Sequence, residues 1–234
     1  MTAAVLAQVH IRQRDHLSCV QDNGFCPSWI RDHLSDYLDP LWRHIELTLV
    51  SVGLGFAIAF SLALLAHRRR WLVGPIIGFT GILYTIPSLA LFAILIPLTG
   101  FGFVTAIIPL TAYTLLILFR NITAGLANIP AEARDAALGM GFTTQQLLWR
   151  VELPLALPEV FAGLRIATTT TVGLAALAFY AGAGGLGAQI LTDISFKSNV
   201  VTAGVLCILL AFALDVLLLV AQWLLLPWQR ARTA

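Results

Sequence analysis

Long uncharged stretches, each bounded by arginine, an acid or a polar turn, set the pattern of this chain. No charged residue falls between Glu46 and His67, and none from Trp71 to Phe119, a run long enough for two membrane crossings folded back at Thr99-Gly100-Phe101-Gly102. Another uncharged run extends from Ile166 to Thr192, and the apolar segment from Val200 to Leu226 is broken only by Asp215. Each crossing of a bilayer core takes about 20 apolar residues in a helix. The pattern therefore predicts an all-α integral membrane protein with five transmembrane helices, at roughly 45–66, 73–98, 103–119, 161–183 and 200–226.

Composition supports this and excludes other classes. The chain is 59% hydrophobic and 11% charged, with a mean hydropathy of +0.86, whereas a soluble domain carries about 25% charge. A formal net charge of +2 over 234 residues is too balanced for a nucleic-acid footprint. The placement of the charges says more than their sum. With the N-terminus outside, the inner side receives Arg68, Arg69, Arg70, Arg120, Arg134, Arg150, Arg230 and Arg232, while the short outer loops hold only Lys197. The positive-inside rule thus predicts an outer N-terminus and an inner C-terminus. Residues 1–43 contain no apolar stretch of signal-peptide type, so no cleavable signal is expected. Three regions follow: an extracytoplasmic tail with an amphipathic helix at 1–43, a membrane domain at 44–228 containing a cytoplasmic loop at 120–159, and a short inner tail at 229–234.

In the first region Trp29, Ile30, Leu34, Tyr37, Leu38, Leu41 and Trp42 recur at helical spacing opposite Arg31, Asp32, Asp36 and Asp39. That is the pattern of an N-terminal interfacial amphipathic helix, or of a helix packed on neighbouring protein. Cys19 and Cys26 flank the turn formers Asp22, Asn23 and Gly24 outside the membrane, either bridged or as two free thiols, and Cys207 is a packing residue of the last span. Pro87, in Tyr84-Thr85-Ile86-Pro87-Ser88-Leu89-Ala90, interrupts the second span. The freed backbone groups are met locally by Thr85 and Ser88, or the break lines a translocation path. The fourth span carries Arg165, then Thr168 to Thr171 and small residues from Gly173 to Gly185, suited to close helix packing, a subunit interface or a pore wall. Gly182, Gly184, Gly185 and Gly187 lack the preceding strand and following Lys of a phosphate loop and are expected to form an outer turn. Asp215 is the acid well inside a span, a functional candidate by default or a structural partner of Arg165. Thr85, Pro87, Ser88, Thr169 and Asp215 are the candidate lining of a translocation path.

The loop at 120–159 is too polar to cross the membrane and too short to be a domain. Pro130 can open a helix with Glu132 in its first turn, where an acid suits the helix dipole. A helix over Ala131 to Met140 is then broken by Gly141, and Thr143 with Gln146 has capping-box spacing for a second helix from about Thr144 to Arg150, ended by Pro154 and Pro158. The same stretch reads Asp135-Ala136-Ala137, three residues, Gly141, nine residues, Val151-Glu152-Leu153-Pro154. This resembles the signature of ABC importer permeases, Glu-Ala-Ala, three residues, Gly, nine residues, Ile-x-Leu-Pro, with Asp135 in place of Glu and Val151 in place of Ile.

The resemblance runs from the first span to the last and implies the type I ABC importer permease core. In that family the loop is a coupling helix docked in a cleft of the ATPase, a role that would fall to Asp135, Ala136, Ala137, Gly141, Val151, Leu153 and Pro154. The chain itself would then have no catalytic residue, metal or cofactor; ATP and Mg would be used by the partner ATPase. Further implied partners are an extracytoplasmic substrate-binding protein and a second permease subunit, identical or paralogous, in a bacterial cytoplasmic membrane. Tyr84 to Ala90, Ile96 to Gly102 and Ala183 to Gly187 look like the branch importing osmoprotectants such as glycine betaine, choline and carnitine, the alternative being an amino-acid importer of the methionine type. Two other classes compete. An intramembrane enzyme needs a polar catalytic pair at depth, yet all five histidines lie at or before His67 and outside the predicted spans. A channel has no need of the loop from Asp135 to Pro154.

Overall fold

Pro87, in the middle of apolar sequence, sets a boundary that the computed structural model, which describes residues 18–228, reproduces. Residues 1–17 of the expected N-terminal region at 1–43, and the inner tail at 229–234 with Arg230 and Arg232, lie outside the described residues. Every regular element among the described residues is helical. In chain order they are α1 (Ser18–Gln21), α2 (Pro27–Asp32), a 3-10 turn (Leu34–Tyr37), α3 (Leu38–Arg68), a 3-10 turn (Arg70–Leu72), α4 (Val73–Thr85), α5 (Ser88–Thr99), α6 (Phe103–Ala127), α7 (Ala131–Gly139), α8 (Thr144–Leu147), a π-helical turn (Leu148–Glu152), α9 (Leu153–Ala175), a 3-10 turn (Ala178–Ala181), α10 (Leu186–Thr192) and α11 (Lys197–Leu225).

Three stretches are each long and apolar enough to cross a membrane: Leu34–Arg68, Phe103–Ala127 and Lys197–Leu225. The helices α4 and α5 pass the same test only as a pair, bent by 91° between Thr85 and Ser88. The bend has a local cause. Proline disfavours the helical conformation of the residue before it, and Ile86 is extended, with ψ 127°. Where the sequence predicts one straight second span, the chain forms two helices at a sharp angle, the geometry of a broken span or of a re-entrant pair. The fourth expected span, at 161–183, is not among these stretches: the helix in its place, α9, starts at Leu153 and ends at Ala175, after which the chain turns through a 3-10 segment, Ala178–Ala181, and a left-handed Gly182. Absence of charge alone does not reveal where a helix stops. α3 begins before the predicted boundary, so His44 lies inside a helix rather than ahead of it.

Small residues decide how closely these helices pack. Ala59, Ala63 and Ala66 of α3 meet Leu118, Phe119 and Ile122 of α6 and Ala156, Val160 and Ala167 of α9 in one buried cluster. A second cluster at the other end joins Leu47, Phe92, Ala106 and Leu110 to Ala175, Ala178 and Ala181. A Cβ on Gly55 would lie 1.8 Å from the Thr114 Oγ1, and one on Gly187 1.7 Å from the Ala176 carbonyl oxygen. Such contacts let backbones approach where larger residues would hold them apart. His44, fully buried, ties the same end together: its ring bonds the Val172 carbonyl at 2.9 Å and the Leu186 N–H at 3.3 Å.

The N-terminal segment is a cap on α11. Cys19 and Cys26 form a disulfide, and Val20, Cys26, Trp29 and Phe196 form a small core. Ser198 accepts the Cys26 N–H at 2.7 Å and donates to the Gly24 carbonyl at 3.1 Å, while Tyr37 donates to Asn199 Oδ1 at 2.7 Å. Trp29 and Tyr37 thus pack on protein, whereas Leu34, Leu38 and Trp42 stay exposed. The single amphipathic helix is broken at His33 into α2, the 3-10 turn and α3.

Candidate functional site

The loop between α6 and α9 is built almost entirely from local backbone chemistry. Pro130 precedes α7, whose first turn carries Glu132. At the other end the Gly141 N–H bonds the Leu138 carbonyl at 2.9 Å and the Phe142 N–H bonds the Ala137 carbonyl at 3.1 Å. That pair of bonds is a Schellman motif, which requires a left-handed residue. Gly141, with φ +83°, supplies it. The Ala-Ala-x-x-x-Gly pattern therefore has a plain physical content: Ala137 offers the carbonyl that closes the turn, and Gly141 makes the turn without a Cβ penalty.

The predicted capping box is present. The Gln146 N–H bonds Thr143 Oγ1 at 3.3 Å, and the Thr143 N–H bonds Gln146 Oε1 at 2.9 Å. Beyond it the sequence reading needs correction, because Pro154 and Pro158 do not end the second helix. The chain passes from α8 through the π-helical turn Leu148–Glu152 directly into α9, with Pro154 in the first turn of α9 and Pro158 inside it. Because the helix runs on through this point, Pro154 brings no N–H to the turn before it, and the wider π turn inserts the extra residue that shifts the register there.

The loop presents a mixed surface. Asp135, Ala136 and Gly141 are exposed, and beside them Leu138 is 52%, Met140 70% and Trp149 52% exposed. Ala137 is buried and is not part of that surface; Leu153 is buried in the core at the start of α9. Val151 and Pro154 line a shallow cleft with Arg150, Leu155 and Trp228. Leu138, Met140 and Trp149 were not singled out by the sequence, although apolar residues on a short, otherwise polar loop were a signal that could have marked them.

A cluster of charges under the loop was also missed. Glu152, 4% exposed, accepts from Arg134 Nε at 2.8 Å with one carboxylate oxygen and from His67 Nε2 at 2.9 Å with the other. Arg134 donates in addition to the Leu126 carbonyl at 2.8 Å. The residues are far apart in sequence, which is why spacing does not reveal them.

The residues assigned to a translocation path fall into two groups that no hydrogen bond joins among the described residues. At the break between α4 and α5, Thr85 and Pro87 are exposed, Ser88 is half-buried, and Thr85 donates to the Ile82 carbonyl at 2.7 Å. The Ile86 carbonyl accepts from the Tyr113 hydroxyl of α6, and Tyr113 stacks edge-on with Tyr84 at 5.7 Å. A neighbouring helix thus satisfies a backbone group left out of the helices at the break. In the second group Thr169 donates to the Arg165 carbonyl at 3.0 Å, and Asp215 accepts from Arg165 in a two-bond pair, Nε to Oδ1 at 2.7 Å and Nη2 to Oδ2 at 2.8 Å. The pair fastens α9 to α11.

Comparison with known proteins gives a consistent picture. The family described as binding-protein-dependent transport system inner membrane component matches residues 51–230. The osmoprotectant import permease protein OsmW of Salmonella typhimurium is 40% identical over 193 residues, covering 80% of this chain and 90% of OsmW. The choline transport system permease protein OpuBB of Bacillus subtilis is 36% identical over 188 residues, covering 80% and 87%. Among solved structures, the MetNI methionine ABC transporter in an inward-facing conformation superposes with a TM-score of 0.67 at 27% identity, over 78% of this chain and 94% of that one. A crystal structure of an amino acid ABC transporter with histidines, at 15% identity and a TM-score of 0.69 over 83% and 96%, shares the fold. With three quarters of its length inside the family match and relatives above 30% identity across most of theirs, the chain belongs to the family of binding-protein-dependent transport system inner membrane components.

Proposed function

We propose that this chain is the permease subunit of an ATP-driven importer of osmoprotectants, such as glycine betaine, choline or carnitine, in a bacterial cytoplasmic membrane. The observation that carries the reading is the loop between α6 and α9, whose α7 and Schellman turn hold Asp135, Ala136, Leu138 and Met140 on an exposed rim. The loop is narrower than the expected 120–159, because Arg120 lies within α6 and Glu159 within α9. Apolar side chains on a polar loop suit burial by a partner, and the family resemblance makes that partner the ATPase. The substrate class is supported by the names of the relatives, an osmoprotectant import permease and a choline transport permease.

In this reading α3, the broken pair α4 and α5, α6, α9 and α11 are five crossings, which put the N-terminal cap outside and the loop and C-terminus inside. The ATPase binds ATP and Mg; an extracytoplasmic binding protein delivers substrate. The outward face of α11, with Ile208 70% and Phe212 66% exposed, is left for lipid or for a second permease subunit, identical or paralogous. Closure of the ATPases moves the docked loops and rocks the spans between inward-facing and outward-facing states. The 91° break, with exposed Thr85 and Pro87, is a candidate part of the path between them.

The test is uptake of labelled glycine betaine by cells that lack their own osmolyte importers and express this chain with its ATPase and binding protein. ATP-dependent uptake is the expected result. No betaine uptake with the ATPase still co-purifying would move the substrate to amino acids, a reading favoured by the methionine transporter among the structural neighbours. Failure of the ATPase to co-purify would overturn the role of the loop. Reporter fusions at either terminus check the orientation.

A further inference from the structure

We propose that Glu152 is the positioning residue through which the coupling loop grips the spans, so that its ion pairs decide how much of the energy of ATP hydrolysis reaches the transport path. The proposal rests on the permease reading and deepens it. Glu152 stands at the one variable place in Val151-Glu152-Leu153-Pro154, where the family pattern prescribes no residue. Yet its side chain is only 6% exposed, and both of its oxygens are used. A charge in such a place is costly unless it is paired and fully hydrogen-bonded.

The partners come from different elements. His67 sits in the last turn of α3, and Arg134 in the middle of α7. Because Glu152 accepts at His67 Nε2, that nitrogen carries the proton whether the ring is neutral or charged. The second arm of the Arg134 fork reaches the Leu126 carbonyl at the end of α6. One arginine and one carboxylate therefore join α7 to the cytoplasmic ends of α3 and α6 and to the start of α9.

Apolar packing does not supply an equivalent grip. Ala137 is the one buried residue of α7, and it is small. A cavity of about 230 Å³ lies beside the cluster, lined by Ala63, His67, Arg70, Leu126 and Arg134 among others, so α7 is not wedged in place by neighbours. When a partner displaces α7, the charged cluster is the rigid connection that moves the ends of the three packed spans together. Without it α7 is joined to the spans only through its two chain connections, Asn128 to Pro130 and Gly141 to Thr143, and can shift while the spans stay where they were. The loop still docks and ATP is still hydrolysed, but less substrate crosses.

The experiment uses the whole complex, permease with ATPase and binding protein, in liposomes, with uptake and ATP turnover measured in the same vesicles. The wild-type complex is run first; absence of ATP-driven uptake there would count against the permease reading and not against this one. Glu152→Gln keeps the size of the side chain and removes its charge. We expect the ATPase to co-purify and ATP turnover to persist, while substrate carried per ATP falls about 5- to 150-fold, the range of ordinary coupling energies between sites. Arg134→Lys keeps the charge but cannot make both arms of the fork, and it should lower the same ratio. Glu152→Asp should recover part of it. An unchanged ratio in Glu152→Gln would overturn the proposal, as would equal loss of uptake and turnover. If Glu152→Gln does not assemble, Arg134→Lys decides alone: an assembled complex with the wild-type ratio overturns it.

Discussion

Substitutions at Gly141 separate conformation from contact at the loop. Nothing lies within 4 Å of a Cβ built on this residue, so a side chain there meets open space. Its cost is conformational, because φ is +83°. An L-residue with a Cβ in the left-handed region costs about 1–2 kcal/mol, which lowers the ratio of closed to open turn by a factor of about 5–30. Gly141→Ala should carry that cost, Gly141→Val more because a β-branched residue is an outlier there, and Gly141→Asn less because asparagine tolerates the conformation. If docking needs the closed turn, apparent affinity for the ATPase falls in proportion to the population lost. Pull-down titration of the ATPase against detergent-solubilised permease measures this, with labelled uptake beside it. The expected order of affinity is Gly, Asn, Ala, Val, with transport abolished in Gly141→Val and membrane insertion intact. Wild-type affinity and uptake in Gly141→Val would refute the reasoning, and Asn behaving no better than Val would show that the left-handed turn is not the cause.

Two further substitutions test how the spans are held. Asp215→Ala leaves Arg165 without its carboxylate between α9 and α11; the thermal unfolding midpoint in detergent should fall, and Asp215→Ala with Arg165→Leu should recover most of the loss. Equal midpoints for the single and double variants would contradict a structural role for the pair. Gly187→Ala forces a Cβ to within 1.7 Å of the Ala176 carbonyl oxygen, an overpacking cost of about 1–3 kcal/mol at about 2–4 °C per kcal/mol for a chain of this size. Gly204→Ala, with nothing within 4 Å, is the control and should melt unchanged or higher.

What the sequence made legible is what the backbone decides locally. Pro87, Pro130, Gly141 and the Thr143 and Gln146 pair each act within a few residues, and the break, the helix start, the turn and the cap they predict are all in the structure. The apolar runs identified α3, α6 and α11, since length and hydropathy suffice for helices of 25 residues or more. The run from Ile166 to Thr192 misled because it fuses the last part of α9, a 3-10 turn and α10, which differ in backbone direction but not in charge. Pro154 and Pro158 misled because a π turn takes them into the helix they were expected to end.

The illegible part has one physical character: it consists of contacts between elements. Whether Cys19 and Cys26 are bridged depends on a cap held by Phe196 and Ser198, about 170 residues further along the chain. Glu152 and Arg134 are 18 positions apart, and His67 lies on a different span. No periodicity encodes such pairs, because each of the partners is an ordinary polar residue in its own segment. Arg134 reads as part of the positive-inside bias and Glu152 as the free position of a motif. A device that makes the ends of several helices move together must be built from contacts of this kind, since a local motif can shape only the loop it occupies. In the proposed reading the signature from Asp135 to Pro154 is where an ATPase pulls, and the charges beneath it set what the pull moves.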